Sequence, residues 1–143
     1  MIVVDASVAA KWIFTEEYSA QARALLRATL QAAERITAPP PLPVEVTNII
    51  RQRMRQETLS ISEAQERLAA FLTVPLTLRA PRTLYRRALA LAAQYDLSAT
   101  YDAHYVALAQ VLDCILWTDD QRLLRALGGH LSFVHRIADY GPG

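Results

Sequence analysis

Five acidic residues carry most of the chemistry legible in this chain. Asp5 ends an apolar run, Ile2-Val3-Val4, that reads as a buried strand. Asp119 and Asp120 follow a second such run, "CILWT". In an open parallel sheet, ligands bind beyond the carboxyl ends of the strands, so parallel strands deliver these acids to one edge. Glu45 and Asp102 come from helical segments. Glu45 has Leu42 three residues before it and Ile49 four after, and Asp102 has Tyr105, Val106 and Ala109 at +3, +4 and +7. Both acids therefore share the apolar stripe of their helix and face inward. A core-facing carboxylate costs several kcal/mol unless a cation or hydrogen bonds compensate it. Both also fall in the first turn of their helices, where backbone N–H groups and the macrodipole favour negative charge.

Each strand-end acid has a structural alternative. Asp5 suits the cap of a helix starting near Ser7, and Thr118 with Gln121 forms a capping-box pattern around Asp119 and Asp120. Capping does not require an acid to face the core, so Glu45 and Asp102 are not explained that way. Converging carboxylates with no arginine or histidine between them repel one another. A bound divalent cation relieves that conflict, and oxygen-only ligands suit Mg2+ or Mn2+ rather than Zn2+.

Other chemistries find little support. His104 lies about 200° around the helix from Asp102, and His130 and His135 lack ligand spacing. Cys114, the single cysteine, sits in an apolar run. That rules out an intramolecular disulfide and leads us to expect a reducing, cytoplasmic setting. All four glycines fall from Gly128 onward, so no glycine-rich phosphate loop exists.

The elements that must position the acids alternate short apolar strands with helices. This predicts an α/β fold with a mainly parallel sheet and helices on its faces, in one domain spanning 1–143. Helices are expected over Tyr18–Arg35 (with Glu16 and Glu17 at its start), from the proline cluster at 39–43 to about Arg55, from Ser62, capped with Gln65, to Thr73, from Pro81 to Gln94, over Thr100–Val111 and over Gln121–Leu127. "VPLTL", "CILWT" and "LSFV" read as strands, and the tail "YGPG" as frayed. Composition is that of a folded protein, 52% hydrophobic and 20% charged. No membrane span and no secretion signal are expected. Net charge is only +1, but residues 51–87 hold eight arginines against three acids. Arginine's planar fork suits phosphate, while solvated helix faces explain such a run equally well.

Taken together, "MIVVDASVAAKWI", "APPPLPVEVTNIIRQRMRQETLS", "YDLSATYDAHYVALAQ" and "LWTDDQRLLRAL" resemble, in order and spacing, the PIN-domain family, and within it the VapC ribonuclease toxins of type II toxin–antitoxin pairs. The resemblance covers nearly the whole chain. It implies a PIN-like fold and metal-dependent endonucleolytic hydrolysis of RNA, with one or two Mg2+ or Mn2+ ions held by Asp5, Glu45, Asp102 and Asp120. Asp119 is placed to share or assume the role of Asp120, and Ser7 and Thr118 match hydroxyl positions near the family's metal site. "LSATYDA" carries one residue more than the commoner form, which bears on the local turn rather than on Asp102. The resemblance also implies a homodimer and a VapB-type antitoxin whose tail enters the acidic groove. The run "FTEEY" is expected to be exposed and to contribute to one of these contacts. RNA would be held by Arg51, Arg55, Arg82 and Arg86. With the four acids neutralised by metal, 15 basic residues would face 10 acidic ones.

Two rival readings are weaker. A strand-end-aspartate phosphoryl-transfer domain needs paired early acids and a late lysine, or a second aspartate two residues after the first. Here Asp5 stands alone, Lys11 is the only lysine, and Ser7 occupies the +2 position. A non-catalytic PIN-like module that binds RNA or a partner would be marked by a missing acid, and all four are present.

Overall fold

The computed structural model describes residues 1–141. Its first strand, β1 (Ile2–Val4), is fully buried and runs directly into helix α1 (Ala6–Ile13). Then follow α2 (Ser19–Gln31), β2 (Ile36–Ala38), α3 (Leu42–Gln56), α4 (Ile61–Leu72), β3 (Leu76–Leu78), α5 (Thr83–Gln94), α6 (Tyr101–Val111), β4 (Ile115–Thr118), α7 (Gln121–Leu127) and β5 (Val134–Arg136). A 3-10 turn over Ile137–Asp139 ends the described chain.

The five strands form one wholly parallel sheet in the order β3-β2-β1-β4-β5. Connections from β1 to β2 to β3 run one way across the sheet, and those from β3 to β4 to β5 run the other. Right-handed crossovers therefore place the helices of the two halves on opposite faces. The packing agrees: α1 lies against α2, α3 and α4, whereas α5 lies against α6, which covers β1 and β4. The direction reverses between β1 and β4, the switch point where open α/β sheets leave a crevice.

Burial on both faces explains why the central strands are continuous apolar runs. Val3, Val4 and Leu116 are inaccessible, as are Val106 and Leu108 on α6 and Leu42 and Val46 on α3. Each such side chain contributes about 1.5–3 kcal/mol relative to an exposed one. No helix among the described residues is long and apolar enough to cross a membrane.

Several boundaries differ from expectation. The fourth helix is capped by Ser60 rather than Ser62: Ser60 Oγ accepts from Glu63 N at 3.1 Å while Glu63 Oε2 accepts from Ser60 N at 3.0 Å. The Ser62–Gln65 pattern lies two residues further in, because the upstream pair closes a complete box and puts a carboxylate at the positive helix end. The second helix starts at Ser19, after Tyr18 takes a left-handed conformation (φ 64°), and stops at Gln31. The last strand is Val134–Arg136, displaced from "LSFV", since register with Leu116–Thr118 decides the pairing. Gly128 (φ 59°) ends α7 in the left-handed region, as its position predicts. In the expected frayed tail, Tyr140 instead packs edge-on against Trp117 at 5.3 Å; positions 142 and 143 lie outside the described residues.

Candidate active site

Register places Val4 beside Trp117, so the next residues, Asp5 and Thr118, emerge side by side at the carboxyl edge of the switch point. Asp5 is 6% exposed and fully engaged. Its Oδ1 accepts from Ser7 Oγ at 2.5 Å and from Val8 N at 3.2 Å, and its Oδ2 accepts from Thr118 Oγ1. The bond to Val8 is the N-cap of α1. The cap expected as an alternative is thus present, and one carboxylate both starts a helix and lies at the site.

Thr118 and Ser7 extend the same network. Thr118 Oγ1 accepts from Asp120 N at 3.0 Å, and Ser7 Oγ accepts from Asp119 N at 2.8 Å. The two hydroxyls tie the turn after β4 to the start of α1 across more than a hundred residues of sequence. Asp120 then caps α7, with Oδ1 accepting from Arg122 N at 3.0 Å and Leu123 N at 3.1 Å.

Helices α3 and α6 follow β2 and precede β4, so both begin at the same carboxyl edge. Their first turns present Glu45 and Asp102, each half-buried. Between these acids stands Tyr105, one turn along α6 and 1% exposed. Its hydroxyl and Glu45 Oε1 are both buried without a hydrogen-bond partner. They lie near enough to affect each other's proton affinity, but without hydrogen-bonding geometry. Sequence periodicity marked Tyr105 only as core.

The electrostatics tie the four acids together. Burial pushes Asp5 up from an ordinary 3.8 to about 6, opposed by its bonds from Ser7, Thr118 and Val8 and reinforced by the charge of Asp120. Burial also pushes Glu45 up from 4.5 to about 7, with repulsion from Asp102 and Asp5 adding to it. Asp102 is raised by burial and by Asp120. Tyr105 is held far above its ordinary value by burial first, then by the charges of Glu45, Asp5 and Asp102. Burial raises the Cys114 thiol, which keeps it protonated and a poor nucleophile.

This donor set suits a hard divalent cation. It is all oxygen, Asp5, Glu45 and Asp102 are each raised by burial and then by a neighbouring carboxylate, and Glu45 Oε1 is an orphaned buried acceptor. Among the described residues, no three His, Cys, Asp or Glu side chains are grouped so that they could hold a metal ion as they stand. Mutual repulsion favours such separation while the charge is uncompensated.

Asp119 is committed elsewhere. Its Oδ2 lies 2.8 Å from the ammonium of Lys11, a buried lysine that also bonds Glu16 Oε1 at 3.1 Å. Glu16 in turn pairs with Arg53, whose guanidinium carbon lies 4.8 Å from the centre of the Phe14 ring. Lys11 is therefore a cation at the margin of the acidic edge that sequence spacing did not reveal. The same packing corrects the expectation that "FTEEY" is an exposed run: Phe14 is 5% exposed and Glu16 is spent in ion pairs, leaving Thr15 and Glu17 at the surface.

The arginines named from sequence are spread over two helices. Arg51 lines a groove between α3 and α4, and Arg55 is exposed on α3 beside Gln52 and Gln56. Arg82 precedes α5 and Arg86 is exposed on it. None of the four lines the cleft beside Asp102, where the arginine is Arg122. Its only sequence signal was its place two residues after Asp120. His104 packs on Tyr85 at 5.7 Å and bonds Thr100 O, on the side of α6 turned to α5. His135 packs on Trp117 at 5.0 Å.

Comparison with known proteins agrees with this architecture. The profile of the PIN domain matches residues 2–128. The chain is 35% identical over 123 residues to VapC ribonuclease Mb0985 of Mycobacterium bovis, covering 86% of this chain and 88% of that protein. It is 32% identical over 141 residues to Ribonuclease VapC12 of Mycobacterium tuberculosis, covering 96% of this chain and all of the relative. The crystal structure of PAE2754 from Pyrobaculum aerophilum shares the fold, with a TM-score of 0.66 at 19% identity over 95% of this chain and 88% of that one. The PIN-domain profile spans both halves of the sheet and all four acids, and the chain belongs to the PIN-domain family.

Proposed function

We propose that this chain is the toxin of a type II toxin–antitoxin pair, a metal-dependent endoribonuclease that hydrolyses RNA phosphodiester bonds in the cytoplasm. The observation that carries this reading is the group of acids at the β1–β4 switch point, with raised proton affinities at Asp5, Glu45 and Asp102 and an orphaned Glu45 Oε1. The relatives' names, VapC ribonuclease and Ribonuclease VapC12, support the substrate class.

Asp5, Glu45, Asp102 and Asp120 would hold one or two Mg2+ or Mn2+ ions. Such an ion, when bound, makes a nucleophile of its water at neutral pH and stabilises charge on the attacked phosphate. The rest is the work of the chain. Ser7 and Thr118 fix the rotamer of Asp5, so its carboxylate does not turn away from the crevice. The caps on α1 and α7 hold Asp5 and Asp120 on the ends of rigid elements. Lys11 neutralises Asp119 and limits the negative charge that an approaching phosphate meets. A VapB-type antitoxin and a second copy of the chain would be its protein partners.

The test is cleavage of total cellular RNA by purified protein with Mn2+. Discrete fragments are expected, and both a chelator and Asp5→Asn should abolish them. Intact RNA under all conditions would refute the reading.

A further inference from the structure

Beside Asp102 lies a cleft of ≈ 340 Å³, bounded by the α5–α6 connection, the first turn of α6 and α7. Two residues on it have no structural employment. Tyr101 is 66% exposed, a large aromatic ring left in water on the helical turn that carries Asp102. Arg122 is exposed and its guanidinium makes no ion pair or hydrogen bond among the described residues, although its backbone N–H bonds Asp120. Ser98, Asp96 and Leu123 also line the cleft.

We infer that this cleft is a nucleotide subsite, taking the single-stranded RNA residue next to the phosphate under attack. This rests on the ribonuclease reading above and adds to it where the flanking nucleotide sits. The parts match the chemistry of one nucleotide. An exposed aromatic ring is a stacking platform for any base, and a free guanidinium suits a phosphate. The two line one cleft together with Asp102, so a strand passing the reactive edge meets both. Asp96, an exposed acid on the same cleft, repels a second phosphate there. A duplex would have to give up its stacking to use the platform, so the subsite selects unpaired RNA.

The test combines steady-state cleavage of a short single-stranded RNA with photocrosslinking of a 4-thiouridine-substituted copy of it to the protein. Tyr101→Ala and Arg122→Ala should each raise KM about tenfold, the scale of one lost stacking or phosphate contact, with kcat changing far less. Tyr101→Phe should restore KM, because the ring and not the hydroxyl acts. The crosslink should map to the peptide holding Tyr101. Unchanged KM in both alanine variants, with crosslinks elsewhere, would overturn the subsite and leave the ribonuclease reading intact. A fall in kcat matching the rise in KM, with a smaller Mn2+-induced rise in melting temperature, would overturn it too, since Tyr101 would then serve to support Asp102. Wild-type protein that neither cuts nor crosslinks RNA would sink both proposals together.

Discussion

The Lys11 ammonium lies 2.8 Å from Asp119 Oδ2, and this contact gives two adjacent aspartates different roles. Asp119 is half of an ion pair; Asp120 caps α7, and its charge acts on Asp5 and Asp102. Asp119→Asn should therefore keep the rise in melting temperature on adding Mn2+, while Asp120→Asn should lose most of it. Asparagine caps a helix about as well as aspartate, so the second variant should still fold. Thermal denaturation with and without Mn2+ reads both, and the opposite ranking would reassign the ligand.

Removing the cation itself should be costly. Lys11→Met leaves Asp119 and Glu16 without their shared partner in a largely buried position, and should destabilise the fold by about 3 kcal/mol. Urea denaturation of Lys11→Met beside Lys11→Met/Asp119→Asn checks it. The double variant should recover part of the loss.

Stability without metal should fall as pH rises. Asp5 and Glu45 have higher proton affinity folded than unfolded, so the folded state holds more protons between the two values. Their contribution is complete below about pH 4, and is lost as pH rises through about 6 for Asp5 and about 7 for Glu45. For Asp5 the full swing is about 3 kcal/mol. Melting curves in chelator from pH 4.5 to 8 should show this decline. Asp5→Asn should flatten it, and an equal slope in that variant would contradict the assignment.

Thr118→Val removes a donor to Asp5 and an acceptor for Asp120 N without changing shape. Loss of these bonds should cost about 2 kcal/mol and raise the proton affinity of Asp5 further. Tyr105→Phe should leave stability nearly unchanged. It deletes a buried hydroxyl that has no partner, so the change should be within about 1 kcal/mol of zero. Chemical denaturation of the two variants in chelator separates the cases.

What the sequence revealed follows from which forces are local. Ile2-Val3-Val4 and "CILWT" read as buried strands because both faces of a parallel sheet are covered, and a residue after each strand must then reach the carboxyl edge. Glu45 and Asp102 stood out because an acid on an apolar stripe needs an explanation. The misses are tertiary. Nothing in the spacing of Lys11, Glu16 and Arg53 shows that Phe14 is buried beside them and that Glu16 is taken up in ion pairs. Val134–Arg136 rather than "LSFV" forms the last strand because β4 chooses the register. The cap is the local exception: Ser60 displaced Ser62 because the Ser60–Glu63 box puts a carboxylate at the helix start and the Ser62–Gln65 pair does not. Arg122 carried no signal beyond its nearness to Asp120 until the packing of α7 brought it to the cleft beside Asp102.

The most direct measurement is the cleavage rate of one defined RNA as Mn2+ is returned to chelated protein, with melting temperature followed on the same samples. Cleavage should be absent in chelator and return with Mn2+. It should saturate over the concentrations that raise the melting temperature, and both responses should vanish in Asp5→Asn. Full cleavage in chelator, or cleavage that survives in Asp5→Asn, would contradict a metal-dependent active site at the β1–β4 switch point.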